Sequence, residues 1–404
     1  MDFYKERTLS ERFLKASKNF KVILLTGMRQ VGKTTFLERI KEKNRESVSL
    51  DDVNELMTAK EDSSIFFQNH EPPIFIDEIQ YAPSLFSKIK ILADKAKQNG
   101  LVWLSGSQPF LLMKEVSETL AGRIAVLNLL GLFVYERFDL AKEQKPFLPA
   151  KKTAQKLKKL NIAETFKIIW KGSFPEMVLK EEDEWDLYYA SYVKTYLERD
   201  VRQLVKVGDV TSFFKFLKSA AARTAQELNI DAIARDVDVA PNTVKSWLSI
   251  LETSGIICFL QPYYKNISKR IVKRPKMYFL DTGLATYLAD WKTAKVLQTG
   301  AASGAFFETF VVTEIIKSHR HNGLDTSFYY YRDNAKNEVD LLFAQNGKLY
   351  PIEIKQTANP NKEMIKNFSK LSDIGEVDFG SLICLVQKPV LLTQNANAVS
   401  IWDI

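Results

Sequence analysis

The residues most clearly suited to chemistry form a glycine-punctuated loop near the start of the chain. In GMRQVGKTT (27–35), Gly27 and Gly32 are separated by four residues, and Lys33 and Thr34 follow directly. Glycine adopts backbone angles that other residues resist, so consecutive N–H groups of such a loop can surround phosphate oxygens. We expect Lys33 to reach the β- and γ-phosphates of a nucleotide and Thr34 to bind Mg²⁺. The predicted nucleotide-binding loop residues are Gly27, Met28, Arg29, Gln30, Val31, Gly32, Lys33, Thr34 and Thr35.

A pair of acids provides the second half of such a site. In PPIFIDEIQYAP (72–83), a continuous apolar run precedes Asp77 and Glu78, as is typical of a strand covered on both faces. Asp77 at the strand end would complete the Mg²⁺ site. Glu78 is placed to polarise an attacking water, which favours hydrolysis over transfer to another hydroxyl. The structural alternative is a helix cap followed by a first-turn acid.

Two further segments could contact the nucleotide. GLVWLSGSQ (100–108) predicts a third strand that ends near Ser105 and Ser107, either of which could touch the γ-phosphate or the water. Arg123, in LAGRIAVL, could contact the γ-phosphate in cis or from a neighbouring subunit. A plain salt bridge is an equal alternative for a lone arginine.

A second acidic group lies in EVDLLFAQNGKLYPIEIKQ (338–356). Its Asn-Gly pair predicts a two-residue hairpin turn, which sets Asp340 opposite Glu353 with Lys355 on the same polar face. Two opposed carboxylates repel, so a cation is needed between them. Lys355 alone is one option. The other is a divalent metal ion held by Asp340, Glu353 and a backbone carbonyl, with Lys355 steering water.

The apolar helix SGAFFETFVVTEIIKS (303–318) precedes this hairpin and is predicted to be buried. A buried acid needs a cation or a donor. Glu308 within the helix is therefore a candidate third metal ligand.

Between the two acidic groups, the sequence predicts a lysine-rich exposed connection (141–160) and then a winged helix. NIDAIARDVDVAPNTVKSWLSILETSGII (229–257) has the apolar rhythm of a helix-turn-helix, and two strands follow it. Phosphate contacts are one interpretation of its wing, and protein docking is the other. The basic wing residues are Lys265, Lys269, Arg270, Lys273, Arg274 and Lys276. The side chains available for base edges are Asn242, Thr243, Lys245 and Ser246.

Composition limits the class of protein. The chain has 404 residues, 46% of them hydrophobic, and a formal net charge of +8, which suits two or three globular domains with a mild preference for polyanions. Cys258 and Cys384 are far apart in the sequence and form no CxxC pair, and the histidines do not have the spacing of metal ligands. The charged start is unlike a secretory signal, and the longest apolar run is too short to cross a bilayer. We expect a cytoplasmic protein without a membrane partner.

Together these segments resemble a large prokaryotic family of predicted AAA+-type ATPases with a C-terminal domain related to PD-(D/E)XK nucleases. The resemblance spans nearly the whole chain and rests on LLTGMRQVGKTT, PIFIDEIQYAP, LSGSQ, LAGR, YLERDVRQL, TVKSWLSILETSGII, YFLDTGLATYL, FFETFV, EVDLLF and IEIKQ. It implies an α/β protein with a RecA-like P-loop core (1–140), a helical connection (141–222), a winged helix (223–290) and a restriction-endonuclease-like domain (296–404). It also implies ATP and Mg²⁺ at the first site and Mg²⁺ or Mn²⁺ at the second.

The leading hypothesis is an ATP-hydrolysing enzyme coupled to a C-terminal half that binds DNA or another nucleic acid and could cleave it. A homo-oligomer is compatible with this hypothesis. The alternative is an ATP-driven regulatory switch whose C-terminal domains dock proteins and cut nothing.

Overall fold

The structure is a computed structural model that describes residues 4–107, 116, 118–151, 157–197, 210–264 and 274–404. The strands are β1 (Val22–Thr26), β2 (Glu46–Ser49), β3 (Ile74–Asp77), β4 (Val102–Gly106), β5 (Ile124–Asn128), β6 (Gln226–Glu227), β7 (Ile257–Pro262), β8 (Lys276–Phe279), β9 (Phe328–Arg332), β10 (Glu338–Gln345), β11 (Lys348–Ile354), β12 (Glu376–Val377), β13 (Gly380–Cys384), β14 (Val390–Thr393) and β15 (Ala396–Ser400).

Helices connect and cover these strands. The α-helices are α1 (Leu9–Asn19), α2 (Lys33–Ile40), α3 (Val53–Glu61), α4 (Ser63–Asn69), α5 (Leu85–Lys95), α6 (Val134–Arg137), α7 (Ile162–Lys171), α8 (Pro175–Leu179), α9 (Trp185–Tyr192), α10 (Val210–Ala221), α11 (Ile230–Val237), α12 (Pro241–Thr253), α13 (Thr282–Leu288), α14 (Ala294–Thr299) and α15 (Ser303–Arg320). Tighter 3-10 turns cover Ile79–Tyr81, Ala141–Glu143, Lys362–Asp373 and Ile401–Asp403, and Val193–Leu197 is π-helical.

The chain divides into two compact units. The first holds the chain up to Leu132 with two short later segments, Thr253–Gly255 and Arg320–Gly323, and the second holds the remainder. The second unit thus contains most of the residues that the sequence assigned to three separate domains. The predicted boundaries between those three domains stay predictions.

The first unit is built around a parallel sheet with strand order β2-β3-β4-β1-β5. β1, β3 and β4 are buried along their whole length, which is why they are nearly continuous apolar runs. Helices α4 and α5 pack Phe66 and Phe86 into the core on one face. β4 lies between β1 and β3, so the glycine loop and the Asp77 strand are separated by one strand at the same edge of the sheet.

The second unit is built around a mixed sheet with order β14-β15-β13-β11-β10-β9-β7-β8-β6, and β12 pairs with β11. β8 pairs antiparallel with β6 on one side and β7 on the other, while β7 also pairs parallel with β9. Helices α10, α11 and α12 and strands β6, β7 and β8 occur in the order expected for the winged helix, which stays a prediction. The predicted wing residues Lys265, Lys269, Arg270 and Lys273 lie outside the described residues.

The hairpin of β10 and β11 has the predicted register. Leu341 pairs with Ile352 and Gln345 pairs with Lys348, which leaves Asn346 and Gly347 as the turn, with φ of 53° and 79°. These angles match the two-residue turn that twists with the strands. The same register sets Asp340 opposite Glu353. The register prediction is confirmed.

Helix α15 is buried over most of its length, also as predicted. None of the helices within the described residues combines the length and the apolar character needed to cross a membrane.

Replacing Gly347 with alanine should lower the free energy of unfolding by about 1–2 kcal/mol, because a Cβ is disfavoured in left-handed backbone. Space is not the reason, since an added Cβ would meet no heavy atom within 4 Å. Gly304→Ala is the matched control: it also has open space, but it lies in α15, where alanine should raise the stability by up to about 1 kcal/mol. Urea titrations followed by tryptophan fluorescence measure both changes. An equal loss in the two variants would contradict the turn conformation.

Candidate functional site

The glycine loop connects β1 to α2 and needs its glycines for geometric reasons. Gly27 has φ of 154°, and a Cβ there would lie 2.2 Å from the carbonyl oxygen of Leu129. Gly32 has φ of 87° and directly precedes α2, so the loop delivers the positive end of the helix dipole to its own concave side. Between the glycines, Met28 and Val31 are buried and Gln30 has φ of 62°. Arg29 also lies in this loop.

Lys33 is the first residue of α2, and its ammonium turns back into the loop. It is 6% exposed, and its Nζ donates to the carbonyl oxygens of Gly27 at 3.1 Å and Met28 at 2.9 Å. The loop therefore already gathers a positive charge at its centre. An incoming phosphate would offer the ammonium anionic oxygens in place of these neutral carbonyls, which makes stronger hydrogen bonds.

Asp77 at the end of β3 meets Thr34 across the intervening strand. Thr34 Oγ1 donates to Asp77 Oδ2 at 2.8 Å, and Ser105 on β4 donates to Oδ1 of the same carboxylate. Hydroxyl and carboxylate oxygens are the ligands that Mg²⁺ prefers, so Thr34 and Asp77 fit the predicted ion. Thr35, the next residue of α2, is exposed.

Burial raises the pKa of Asp77 above its ordinary value, and the negative charge of Glu78 acts in the same direction. Hydrogen bonds from Ser105 and Thr34, together with the charge of Lys33, lower it. The net rise means that this carboxylate is under-compensated before a cation binds.

Glu78 is held in an uncommon backbone conformation, with φ of 56°. Such a conformation costs a residue with a Cβ about 1–2 kcal/mol, so neighbouring contacts must maintain it. Ser107 Oγ lies 3.0 Å and 3.2 Å from the two carboxylate oxygens, and Gln80 Nε2 donates to Oε2. Each serine thus donates a hydrogen bond to a different acid: Ser105 donates to Asp77, and Ser107 donates to Glu78. From the sequence, either serine was expected to contact the γ-phosphate or the attacking water, and no role was predicted for Gln80.

Arg123 does not reach the loop of its own chain. It directly precedes β5, which pairs in parallel with β1 from Val22 onward, so it lies at the edge opposite the glycine loop. Its guanidinium forms an exposed ion pair with Asp94. The cis contact with a γ-phosphate is therefore wrong, because the arginine is at the amino end of its strand. The salt bridge is the alternative that the structure shows.

The hairpin of the second unit brings Asp340, Glu353 and Lys355 together as the sequence predicted. Lys355 Nζ lies 2.6 Å from Glu353 Oε1 and 3.2 Å from Asp340 Oδ2. The backbone N–H of Ile354 also donates to Asp340 Oδ2 at 2.9 Å. Asp340 and Glu353 are 5% and 6% exposed, respectively.

A second lysine joins this cluster from β8. Lys276 Nζ lies 3.1 Å from Glu308 Oε1, 2.5 Å from Glu338 Oε1 and 3.9 Å from Asp340 Oδ1. Tyr278, two residues along the same strand, donates to Glu308 at 2.7 Å. The sequence placed Lys276 in the wing as a phosphate contact. That prediction is wrong, because the side chain is 4% exposed and neutralises acids of its own chain.

Burial raises the pKa of Glu308 to about 7, and the charge of Asp340 adds to the rise. Burial and Asp340 likewise raise the pKa of Glu353 to about 8. The pKa of Lys276 is raised despite its burial, because Glu308, Asp340 and Glu338 stabilise its charge. Glu308 and Glu353 therefore hold protons more readily than exposed carboxyls do.

The divalent metal ion predicted at Glu308, Asp340 and Glu353 does not fit this arrangement. Within the described residues, no three acidic, histidine or cysteine side chains are grouped so that they could hold a metal ion. Two ammonium groups already face the oxygens of the predicted ligands. Lys276 Nζ lies 3.1 Å from Glu308 Oε1 and 3.9 Å from Asp340 Oδ1, and Lys355 pairs with Asp340 and Glu353. Glu353 Oε2 is buried and has no hydrogen-bond partner within the described part of the chain.

Helix α12 carries the side chains that the sequence proposed for base contacts. Asn242, Lys245 and Ser246 are exposed and Thr243 is half-buried. Arg274 lies beside a cavity of about 680 Å³ that the end of α11 and the start of α12 also line.

Three family models match the chain. Residues 19–138 match the AAA domain, and this range contains the glycine loop, the acid pair and the hydrogen bond that joins them. Residues 19–138 are a P-loop ATPase domain. Residues 162–295 and 303–404 match domains of unknown function, DUF8612 and DUF4143. The first match supports use of a nucleotide and Mg²⁺ by the ATPase domain, whereas the other two name no activity.

Two relatives and one solved structure are similar to longer parts of the chain. The uncharacterized protein Rv2008c of Mycobacterium tuberculosis is 28% identical over 88% of this chain and 75% of its own length. The uncharacterized protein MJ1637 of Methanocaldococcus jannaschii is 24% identical over 92% of this chain and 82% of its own length. The Walker-type ATPase PABY2304 of Pyrococcus abyssi has a TM-score of 0.46 and 14% identity, covering 71% of this chain and 95% of that chain.

Asp77→Asn should stabilise the nucleotide-free ATPase domain at neutral pH while abolishing ATP hydrolysis. The folded pKa of Asp77 lies above the ordinary value of 3.8, so the folded state binds more protons between those two values and stability falls as pH rises. Asparagine cannot ionise, so its advantage should appear above the folded pKa and vanish below about pH 3.8. Melting temperatures across pH and phosphate release measure the two effects.

Asp94→Asn is the control, because the ion pair with Arg123 lowers the pKa of Asp94. Its substitution should give no gain in melting temperature at neutral pH. A gain of the same size as for Asp77→Asn would show that the effect is not due to burial of Asp77.

Proposed function

We propose that the ATPase domain hydrolyses ATP with Lys33, Thr34, Asp77 and Glu78 in separate roles. The observation that carries the proposal is the 2.8 Å hydrogen bond between Thr34 and Asp77, because it brings the phosphate-binding loop and the acidic strand into one site. Lys33 binds the β- and γ-phosphates. Thr34 and Asp77 hold Mg²⁺, which neutralises charge on the phosphate oxygens when bound.

Glu78 acts on the nucleophile. Its carboxylate accepts the proton of a water molecule as the water oxygen bonds to the γ-phosphorus, and the bond from that phosphorus to the β–γ bridging oxygen breaks. Ser107 and Gln80 hold the carboxylate, so its direction is fixed before the nucleotide arrives. Fixing a group in advance lowers the entropy lost in the transition state.

Glu78→Gln should lower kcat for ATP hydrolysis by about 10²–10⁴-fold, the range for losing one general base. The binding of ATP should persist, because Lys33, Thr34 and Asp77 are unchanged. Phosphate release and the binding of a fluorescent ATP analogue measure the two quantities. Lys33→Ala is the contrasting variant, in which turnover is abolished together with tight nucleotide binding. Normal turnover in Glu78→Gln would remove the assigned role.

In the second unit, the proposed function is nucleic-acid binding through α12. The helix follows α11 directly, and it presents Asn242, Lys245 and Ser246 on its exposed side. Polar side chains on one exposed helix face are what groove binding requires, and Lys245 supplies a phosphate contact.

Lys245→Ala should weaken binding to duplex DNA and reduce the slope of log affinity against log salt by about 1, as expected for one lost phosphate contact. Lys295→Ala, an exposed lysine of α14, is the matched control and should leave the slope unchanged. Fluorescence anisotropy over a salt series measures both. The same decrease in both variants would indicate a diffuse charge effect without a defined contact.

The second candidate is an ATP-driven switch whose C-terminal domains dock proteins. The burial of Lys276 favours it, because this lysine no longer counts among the basic groups available to phosphates. Absence of any salt-dependent DNA or RNA binding by the full chain would select this candidate.

A further inference from the structure

The acidic cluster of the second unit is a set of carboxylates that must be neutralised to remain buried. Glu308 comes from α15, Glu338 and Asp340 from β10, and Glu353 from β11. Buried carboxylates need cations or donors. A divalent ion and an internal ammonium group are different solutions to this requirement, and they exclude each other when they compete for the same oxygens.

We propose that Lys276 is a permanent internal substitute for a divalent cation, so that this cluster binds no metal ion and cleaves no phosphodiester bond. Its ammonium contacts oxygens of Glu308 and Glu338 and lies 3.9 Å from Asp340. These are nitrogen–oxygen distances of ion pairs. An added ion would need the oxygens drawn in to about 2.0–2.6 Å around itself and would face a like charge beside it.

Lys276 is held through both its backbone and its ammonium group. Lys276 pairs with Glu227 of β6 on one side and with Leu260 of β7 on the other. The carbonyl of the preceding Pro275 accepts from Leu228 N at 2.8 Å. The ammonium also lies 5.6 Å from the centre of the Tyr330 ring, within the range of a cation–π contact.

The cluster therefore joins elements instead of acting on a substrate. Lys276 and Tyr278 both bind Glu308 from β8, and Lys276 also binds β10 through Glu338. The ion pairs fix the short strand β8 to the long helix and to the hairpin. The role of Lys276 in this cluster is independent of the proposed ATP hydrolysis and of the proposed nucleic-acid binding.

Titration of the nucleotide-free full chain with Mn²⁺, read by the electron paramagnetic resonance signal of the free ion, tests the proposal. Any ion bound by the ATPase domain is common to all variants and cancels in the comparison. Wild type and Asp340→Asn should bind the same number of ions. Lys276→Gln should bind one more ion per chain, and Lys276→Gln with Asp340→Asn should lose it again. Lys348→Gln, which removes a half-buried hairpin lysine paired with Glu376 and Asp378, should add none.

Two results would overturn the proposal. One is an Asp340→Asn variant that binds one ion fewer than wild type, since Glu353 Oε2 and Asp340 would then hold a metal beside Lys276. The other is a folded Lys276→Gln variant that gains no ion. Circular dichroism shows whether Lys276→Gln folds. If it does not fold, the numbers of Mn²⁺ ions bound by wild type and by Asp340→Asn decide the question. Plasmid cleavage by wild type in Mg²⁺ or Mn²⁺ that is lost in Asp340→Asn would equally refute it.

Discussion

The hydrogen bond between Thr34 and Asp77 joins two segments 43 residues apart, and the chemistry proposed for the ATPase domain depends on it. It requires that β1 and β3 end at the same edge of the sheet, with β4 between them. Parallel pairing meets this requirement, because the carboxyl ends of parallel strands lie together. A shift of one residue in β3 would turn Asp77 to the other face of the strand and leave the loop without its acid.

Strand β4, which lies between β1 and β3, also contributes a side chain to the site. Ser105 lies in β4 and Ser107 directly follows the strand. Ser105 donates to Asp77 and Ser107 donates to Glu78. The two acids therefore differ in their surroundings although they are adjacent in sequence. Asp77 is buried and continues its strand, whereas Glu78 has already turned into left-handed backbone. The two carboxylates thus have different hydrogen-bond partners, as the separate roles proposed for them require.

How far the sequence could predict these features depends on how local their causes are. The glycine loop and the hairpin register follow from short segments, since glycine tolerance and side-chain alternation act over a few residues. Arg123 was misplaced because its position depends on which edge of the sheet the start of β5 reaches. Lys276 was misassigned because its partners lie on α15 and β10. Alternation along β8 would have placed it on the same face as the buried Tyr278, which was a usable signal.

The two acidic groups of this chain show why matching residue types do not establish a metal site. In the ATPase domain, Lys33 donates to loop carbonyls, and within the described residues the Asp77 carboxylate accepts hydrogen bonds from the hydroxyls of Thr34 and Ser105. In the second unit, the ammonium groups of Lys276 and Lys355 already form ion pairs with the carboxylates. A divalent ion would have to displace a buried ammonium whose other acids would then lose their counter-ion, and breaking buried pairs is strongly unfavourable. The position of the nearest lysine, more than the number of acids, separates a site open to a cation from one that is closed.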